Sequence, residues 1–297
     1  MAGRAGISFP ARGPEITLLF LRPRTLEEAV QTLAESRGTI LSGGTDFFPA
    51  LGDRAVTTPI VDISAVAELK GIHSTRDTIQ IGGRTTWTEI LEAPLPRGFD
   101  GLKDAAREVG SVQIQNVATV AGNLCNASPA ADGIPALMAL DAEITLASAS
   151  GIRRMPLANF ILGNRRTRRR ADEILSAVTV PRRLENSASA FLKLGARRYL
   201  VISIVMVAAN LVVDERGKVR EALLAVGACA ASALRLRALE QSLVGVAAQP
   251  GIGRLVRPEH LAELSPIDDL RATAAYRREA AQVLVGRALE VCVERAA

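Results

Sequence analysis

The chain has 297 residues, 48% apolar but only 3% aromatic, enough for about two domains whose cores are built from Ala, Val, Leu and Ile. Its 36 basic and 31 acidic residues are interspersed, so the net charge of +5 is poor ground for nucleic acid, and no run interleaves basic with aromatic residues as a stacking platform needs. Three scattered cysteines (Cys125, Cys229, Cys292) and two isolated histidines (His73, His260) argue against a disulfide framework, a metal or iron–sulfur site held by this chain alone, and a Ser-His-Asp triad.

Residues 1–14 are rich in Gly, Pro and Arg and read as a loose lead-in without the apolar stretch of a signal peptide. A strand follows over 16–21. Thr25 and Glu28 make a capping-box pattern before Leu26, Ala29, Val30 and Leu33 at helical spacing. A short strand at 39–41 runs into Ser42-Gly43-Gly44-Thr45-Asp46. Another strand covers 59–63, and 69–72 with 78–81 read as a hairpin. Gly82-Gly83-Arg84-Thr85-Thr86 is a second glycine-paired turn, with a helix from Trp87 that places this ring in the core. A further helix spans 102–109.

Residues 119–132, Thr-Val-Ala-Gly-Asn-Leu-Cys-Asn-Ala-Ser-Pro-Ala-Ala-Asp, contain no Lys, Arg or Glu. This density of turn formers argues against strand or helix. The small side chains and short polar groups suit a loop wrapped around a polar ligand, or a connector ahead of a core helix over 136–140. Strands follow at 143–147 and 174–180, the second stopped by Pro181. Between them, residues 163–170 carry five arginines in eight and read as a solvated loop. Polar residues 182–189 mark a domain boundary. The texture then changes: a strand at 190–194, a long one at 201–213, a turn at 214–217 and a strand at 218–227 make an antiparallel meander, with helices over 232–243 and 268–294. The longest apolar run, 201–213, is interrupted by Ser203 and Asn210 and is too short to span a bilayer, so a soluble, reducing, cytoplasmic setting without membrane insertion is expected. The fold class is α+β.

Three turn-rich stretches, 42–46, 82–86 and 119–126, lie in one half of the chain. Backbone N–H groups freed by such turns form anion-binding nests, and three together suggest a long phosphate-bearing ligand. No G-x-G-x-x-G opens a helix after a strand, and no G-x-x-x-x-G-K-[ST] occurs, which argues against Rossmann and Walker sites.

The segments Ser42-Gly43-Gly44-Thr45-Asp46 and Thr119-Val120-Ala121-Gly122-Asn123, continuing to Ser128-Pro129-Ala130-Ala131-Asp132, resemble the two flavin loops of the FAD-binding subunit of molybdenum hydroxylases, the xanthine dehydrogenase and carbon monoxide dehydrogenase family. The resemblance continues through Leu21-Arg22-Pro23-Arg24-Thr25-Leu26-Glu27-Glu28-Ala29, Asp172-Glu173-Ile174-Leu175, Phe191-Leu192-Lys193 with Arg197-Arg198, and Ser265-Pro266-Ile267-Asp268-Asp269-Leu270-Arg271 with Tyr276-Arg277. It implies a two-part FAD-binding domain of the vanillyl-alcohol-oxidase (PCMH) type over 12–187 and a carbon monoxide dehydrogenase flavoprotein C-terminal domain over 188–297.

By the same resemblance, Ser42, Gly43, Gly44, Thr45 and Asp46 would wrap the FAD pyrophosphate, with Ile40 and Leu41 alongside. Thr119, Gly122, Asn123 and Asn126 would hold the diphosphate and ribityl part from the other side. Asp132 would bind the adenosine end, or cap the helix that follows it. Leu175 and Lys193 would lie near the isoalloxazine ring, although Lys193 also fits an ordinary sheet-edge lysine. No catalytic side chain and no metal ligand is implied, because the cofactor carries the chemistry. The implied partners are a 2Fe–2S iron–sulfur subunit and a molybdopterin-containing large subunit, in a dimer of heterotrimers, with NAD+, oxygen or a quinone as acceptor. A self-contained flavin oxidase and a non-catalytic nucleotide-binding or assembly module that has lost its flavin are the rival readings. The sequence departs from the family at Asn164, where many members carry an aromatic, and in the basic run 165–170, which suits an anionic nicotinamide dinucleotide or a partner subunit.

Overall fold

The computed structural model describes residues 5–7 and 18–297. Apart from 5–7, the lead-in over 1–14 lies outside the described residues, as do residues 16 and 17 of the first expected strand. The architecture is α+β, with three main sheets and helices packed on each.

The first sheet contains β1 (Ala5–Ile7), β2 (Leu18–Leu21), β3 (Thr39–Leu41) and β4 (Ile60–Asp62), ordered β1-β2-β4-β3, with β2 and β3 both parallel to β4. Helix α1 (Leu26–Ser36) packs against it. Thr25 Oγ1 accepts the Glu28 N–H at its start, and Ala29, Val30 and Leu33 face inward at the predicted spacing. Helix α2 (Phe47–Leu51) follows β3 after the first glycine loop.

The second sheet is antiparallel, with β5 (Ile72–Ser74), β6 (Thr78–Gly82), β7 (Glu143–Ser148), β8 (Gly151–Pro156) and β11 (Ile174–Pro181) in the order β5-β6-β11-β7-β8. Helices α3 (Trp87–Glu92), α4 (Asp100–Glu108), α5 (Val112–Gln115), α6 (Val120–Asn126) and α7 (Gly133–Ala139) lie in the long excursion between β6 and β7, with α8 (Leu157–Phe160) after β8. The small hairpin β9 (Ile161–Gly163) and β10 (Arg166–Thr167) precedes β11.

The third sheet contains β12 (Ala188–Leu194), β13 (Val205–Val213), β14 (Val219–Gly227) and β15 (Leu234–Arg235), all antiparallel neighbours in chain order. Antiparallel sheets often leave one face to water, but this one does not. Ala190, Val205, Val207, Ala209 and Leu211 join a core with α9 (Arg237–Leu243) and the long α10 (Ala274–Ala296). The alternate residues Phe191, Met206 and Ala208 join the core of α4 and α7. Both faces are therefore buried, and this accounts for the nearly unbroken apolar run in β13. No helix among the described residues is long and apolar enough to cross a membrane.

Three expectations are corrected. Residues 201–204 are not strand: β13 begins only at Val205. Residues 232–243 are not one helix, because Leu234–Arg235 pair with β14 before α9 starts. The last helix starts at Ala274 rather than 268, because Thr273 caps it and Asp268 and Asp269 accept backbone N–H groups in the turn ahead.

Candidate functional site: a cleft between two glycine loops

A cleft of about 490 Å³ lies between the first and second sheets. Twelve of the fourteen residues singled out from sequence line it: Ile40, Leu41, Ser42, Gly43, Gly44, Thr45, Asp46, Thr119, Gly122, Asn123, Asn126 and Leu175. Asp132 and Lys193 are not among its lining residues.

The first wall is the loop between β3 and α2. Gly44 sits at φ +73°, the left-handed region that favours glycine. Gly43 lies so close to the other wall that a Cβ there would overlap the Val117 carbonyl. Ser42 Oγ and Thr119 Oγ1 are 3.4 Å apart and tie the loops together. Among the described residues, the N–H groups of Gly43, Gly44 and Thr45 find no acceptor. They form a nest of free donors open to an anion.

The second wall corrects an expectation. Residues 120–126 form the helix α6, not an irregular loop. Thr119 makes this possible by accepting the Gly122 N–H at 3.1 Å, a side-chain cap on a short helix. The first-turn donors are all used: Val120 N–H bonds Thr85 O, Ala121 N–H bonds Gly83 O, and Asn123 N–H bonds Thr119 O. What this wall offers is side chains. Asn123 Oδ1 is buried with no hydrogen-bond partner, an acceptor awaiting a donor. Gly122 is exposed, and a Cβ there would touch only Thr119 Oγ1, at 3.0 Å.

The third glycine stretch, 82–86, is not an anion nest. Gly82, Gly83, Arg84 and Thr85 donate to the carbonyls of Gly71, Ser176, Leu69 and Gly82. With its donors consumed, the stretch braces α6 from behind. Its partner Ser176 sits in a β-bulge of β11, beside Leu175, which is buried on the cleft wall. Trp87 is fully buried, packs against Gly133 and also lines the cleft.

Asp132 makes no side-chain cap bond to α7. It meets Lys193 Nζ at 2.8 Å, and Ser203 Oγ donates to its other oxygen at 2.9 Å. Lys193 also donates to the carbonyl of Glu108. Burial pushes the Asp132 carboxyl up to about 6, against the pull of the Lys193 ammonium. The two groups touch, so they share one position where α7 meets β12, and the expected assignment of them to opposite ends of a ligand does not hold.

Among the lining residues that sequence reasoning missed are Arg169 and Cys125. Arg169 stood out only as one of five arginines, yet it alone of them lines the cleft, held by the carbonyls of Arg170 and Glu173. Cys125 lines it too, and burial pushes its thiol up to about 11, so it is a neutral wall group rather than a nucleophile. No sequence signal separated either from its neighbours. Among the described residues, no three His, Cys, Asp or Glu side chains converge as a metal site.

Free N–H donors on one wall and amide side chains on the other, with an apolar floor of Ile40, Ile174 and Leu175, fit an elongated cofactor that carries phosphates at one place and hydroxyls at another. These features agree with a flavoprotein of the FAD-binding type, the class to which the chain's relatives belong. Residues 14–183 match the family model described as the FAD binding domain in molybdopterin dehydrogenase, and residues 190–291 match the CO dehydrogenase flavoprotein C-terminal domain. The chain is 38% identical to the nicotinate dehydrogenase FAD-subunit of Eubacterium barkeri over 76% of its own length and 79% of the relative's. It is 31% identical to the xanthine dehydrogenase FAD-binding subunit of Escherichia coli O157:H7 over 93% and 96%. The carbon monoxide dehydrogenase structure from Hydrogenophaga pseudoflava superposes with a TM-score of 0.86 at 27% identity, covering 94% of this chain and 98% of that one. The chain belongs to the xanthine and carbon monoxide dehydrogenase family of molybdenum hydroxylases, as an FAD-binding flavoprotein subunit, and is an oxidoreductase component whose cofactor is FAD.

Proposed function

We propose that this subunit relays electrons from a partner 2Fe–2S chain, which delivers them singly, to a two-electron acceptor: NAD+, oxygen or a quinone. Bound FAD supplies the ability to collect one electron at a time and release two. The chain's own residues bind and orient it. Gly43, Gly44 and Thr45 donate N–H groups to the diphosphate. Thr119, Asn123 and Asn126 meet hydroxyl and phosphate oxygens from the opposite wall, and Gly122 leaves room for them. Ile40, Leu41 and Leu175 exclude water from the apolar part. The Lys193–Asp132 pair, beside α7, fixes the C-terminal domain against the flavin domain. Substrate oxidation falls to a molybdopterin-containing large chain, in a cytoplasmic dimer of heterotrimers.

The observation that carries this reading is that one cleft is lined both by the free N–H donors at 43–45 and by the amide-bearing residues Asn123 and Asn126. The names of the relatives, each a subunit, support the assembly. The test is purification from the native source. The protein is expected to carry the visible bands of oxidised flavin and to bring down iron–sulfur and molybdenum chains. A colourless protein that cannot be reconstituted with FAD, or turnover of a substrate by the lone chain without iron or molybdenum, would overturn it.

A further inference from the structure

Of the fifteen large apolar side chains exposed among the described residues, six fall in two short stretches. Tyr199, Leu200 and Ile202 lie in the loop between β12 and β13. Ile267, Leu270 and Tyr276 lie ahead of α10 and in its first turn. The two stretches meet. Arg271 closes a shallow hollow of about 450 Å³ whose other side is Arg197, Leu200, Val201, Ile202 and Ile204. The buried Arg277 guanidinium reaches from α10 to the Ile204 carbonyl at 2.6 Å. Together they make one apolar face, and none of its residues lines the cofactor cleft.

Both stretches are held stiffly. Asp269 Oδ1 accepts the N–H groups of Arg271 and Ala272 at 2.8 and 3.2 Å and a guanidinium N–H of Arg277 at 2.8 Å, so the turn that carries Leu270 is pinned from within. Its tip leaves Leu270 94% exposed. The other loop is closed at its base by one carboxylate: Lys193 and Ser203 both donate to Asp132, and the Ile204 N–H donates to Leu194 O. At its crest Leu200 sits at φ +52°, its carbonyl held by the Arg197 guanidinium at 3.1 Å. A bulky residue in the left-handed region is costly, and an apolar side chain left in water forgoes its burial, so neither leucine is placed for the stability of the lone chain.

We infer that this face docks the iron–sulfur chain of the complex, with Leu270 as the anchor that enters an apolar socket of that partner. The inference rests on the electron-relay reading and adds the surface by which the donor is held. Over 195–204 and 257–279 there are six cations and five acids, so the face has no field with which to gather a small anion. Its mixture of Tyr, Arg and aliphatic side chains is that of an interface core. Stiff presentation lowers the ordering cost of association. Its place in the fold selects the partner. Lys193, at the root of the loop, also donates to Glu108 O, and the next residue, Val109, lines the cleft. A chain seated on this face stands beside the end of the cofactor site. An electron donor has to be that close, because electron transfer falls steeply with distance, whereas a chain that oxidises substrate does not. A second copy of this subunit in the same seat would shut the donor out.

The test is dilution of the affinity-purified complex, with each released chain identified by mass. The wild type is expected to carry flavin and to hold the iron–sulfur chain. L270D is expected to raise the concentration at which that chain dissociates by about tenfold or more, with flavin content and Tm unchanged, and L270M to stay within about twofold of wild type. I267D, on the same face, should act in the same direction, and it carries the test if L270D does not fold. I152D changes an equally exposed isoleucine on the edge strand β8 and should dissociate as the wild type does. Four results would overturn the inference: equal dissociation of wild type and the face variants, an equal rise in I152D, loss of flavin from the face variants, or release of the large chain or of a second copy of this subunit while the iron–sulfur chain stays bound. A wild type that lacks flavin or brings down no iron–sulfur chain defeats the underlying reading instead, which separates the two failures.

Discussion

The two walls of the cleft both depend on glycine, for opposite reasons. Gly43 has no side chain because protein is in the way: the Val117 carbonyl occupies the place of a Cβ. Gly122 has almost open space over it, which on the proposed reading is room for the ligand. The donors divide in the same way. The loop at 43–45 keeps its backbone N–H groups free, whereas α6 spends its own on Thr85, Gly83 and Thr119 and presents amide side chains. One wall offers backbone donors, the other side chains, and on the proposed reading the same residue type carries a structural duty in one place and a binding duty in the other.

This contrast can be broken at four points, in descending order of effect. Gly43→Val should damage fold and cofactor site together, because the added carbons collide with backbone. A loss of about 3 kcal/mol is expected, read as a lowered Tm by circular dichroism alongside missing flavin. Gly122→Val should separate the two properties. Flavin retention is lost, while the apoprotein melts within about 1 kcal/mol of wild type, since valine is no worse than glycine in a helix. If both variants lose stability equally, the division of duties is wrong. Asn123→Ala removes one acceptor from the side-chain wall and should weaken FAD about tenfold, measured by flavin release on dilution. The smallest effect concerns Asp132. Its folded-state carboxyl titrates near about 6, above the ordinary 3.8, so the folded state holds a proton that the unfolded chain has lost. Between those two values, wild-type stability should fall as pH rises, and the slope should vanish in Asp132→Asn. Denaturant melts across that window, at equal flavin loading, check the sign.

Much of this was legible before any coordinates. The cap at Thr25, the helix at Trp87, the strand stopped by Pro181 and the 214–217 turn follow from local rules, and each appears at or near its predicted place. That segments 42–46 and 119–126 come together at one cleft was legible from composition together with resemblance. What escaped was whatever depends on a distant partner. Residues 82–86 look like a nest in isolation, and only the carbonyls of Leu69 and Ser176 show that their donors are consumed. Helix α6 was hidden behind its turn formers because its cap and braces come from Thr119 and the 83–85 backbone. The pairing of Asp132 with Lys193 joins residues 61 positions apart, beyond the reach of any periodicity.

The doubly covered C-terminal sheet has a consequence for synthesis. Helices α4 and α7 form one of its two covers, yet they leave the ribosome well before β12 to β14 exist. Throughout that interval Phe99, Leu137 and their neighbours lack the surface they finally pack against. Translation of the last third of the chain is therefore the period in which a nascent-chain chaperone has most to shield, and a message truncated after the flavin domain should yield a product that aggregates rather than a smaller soluble flavoprotein.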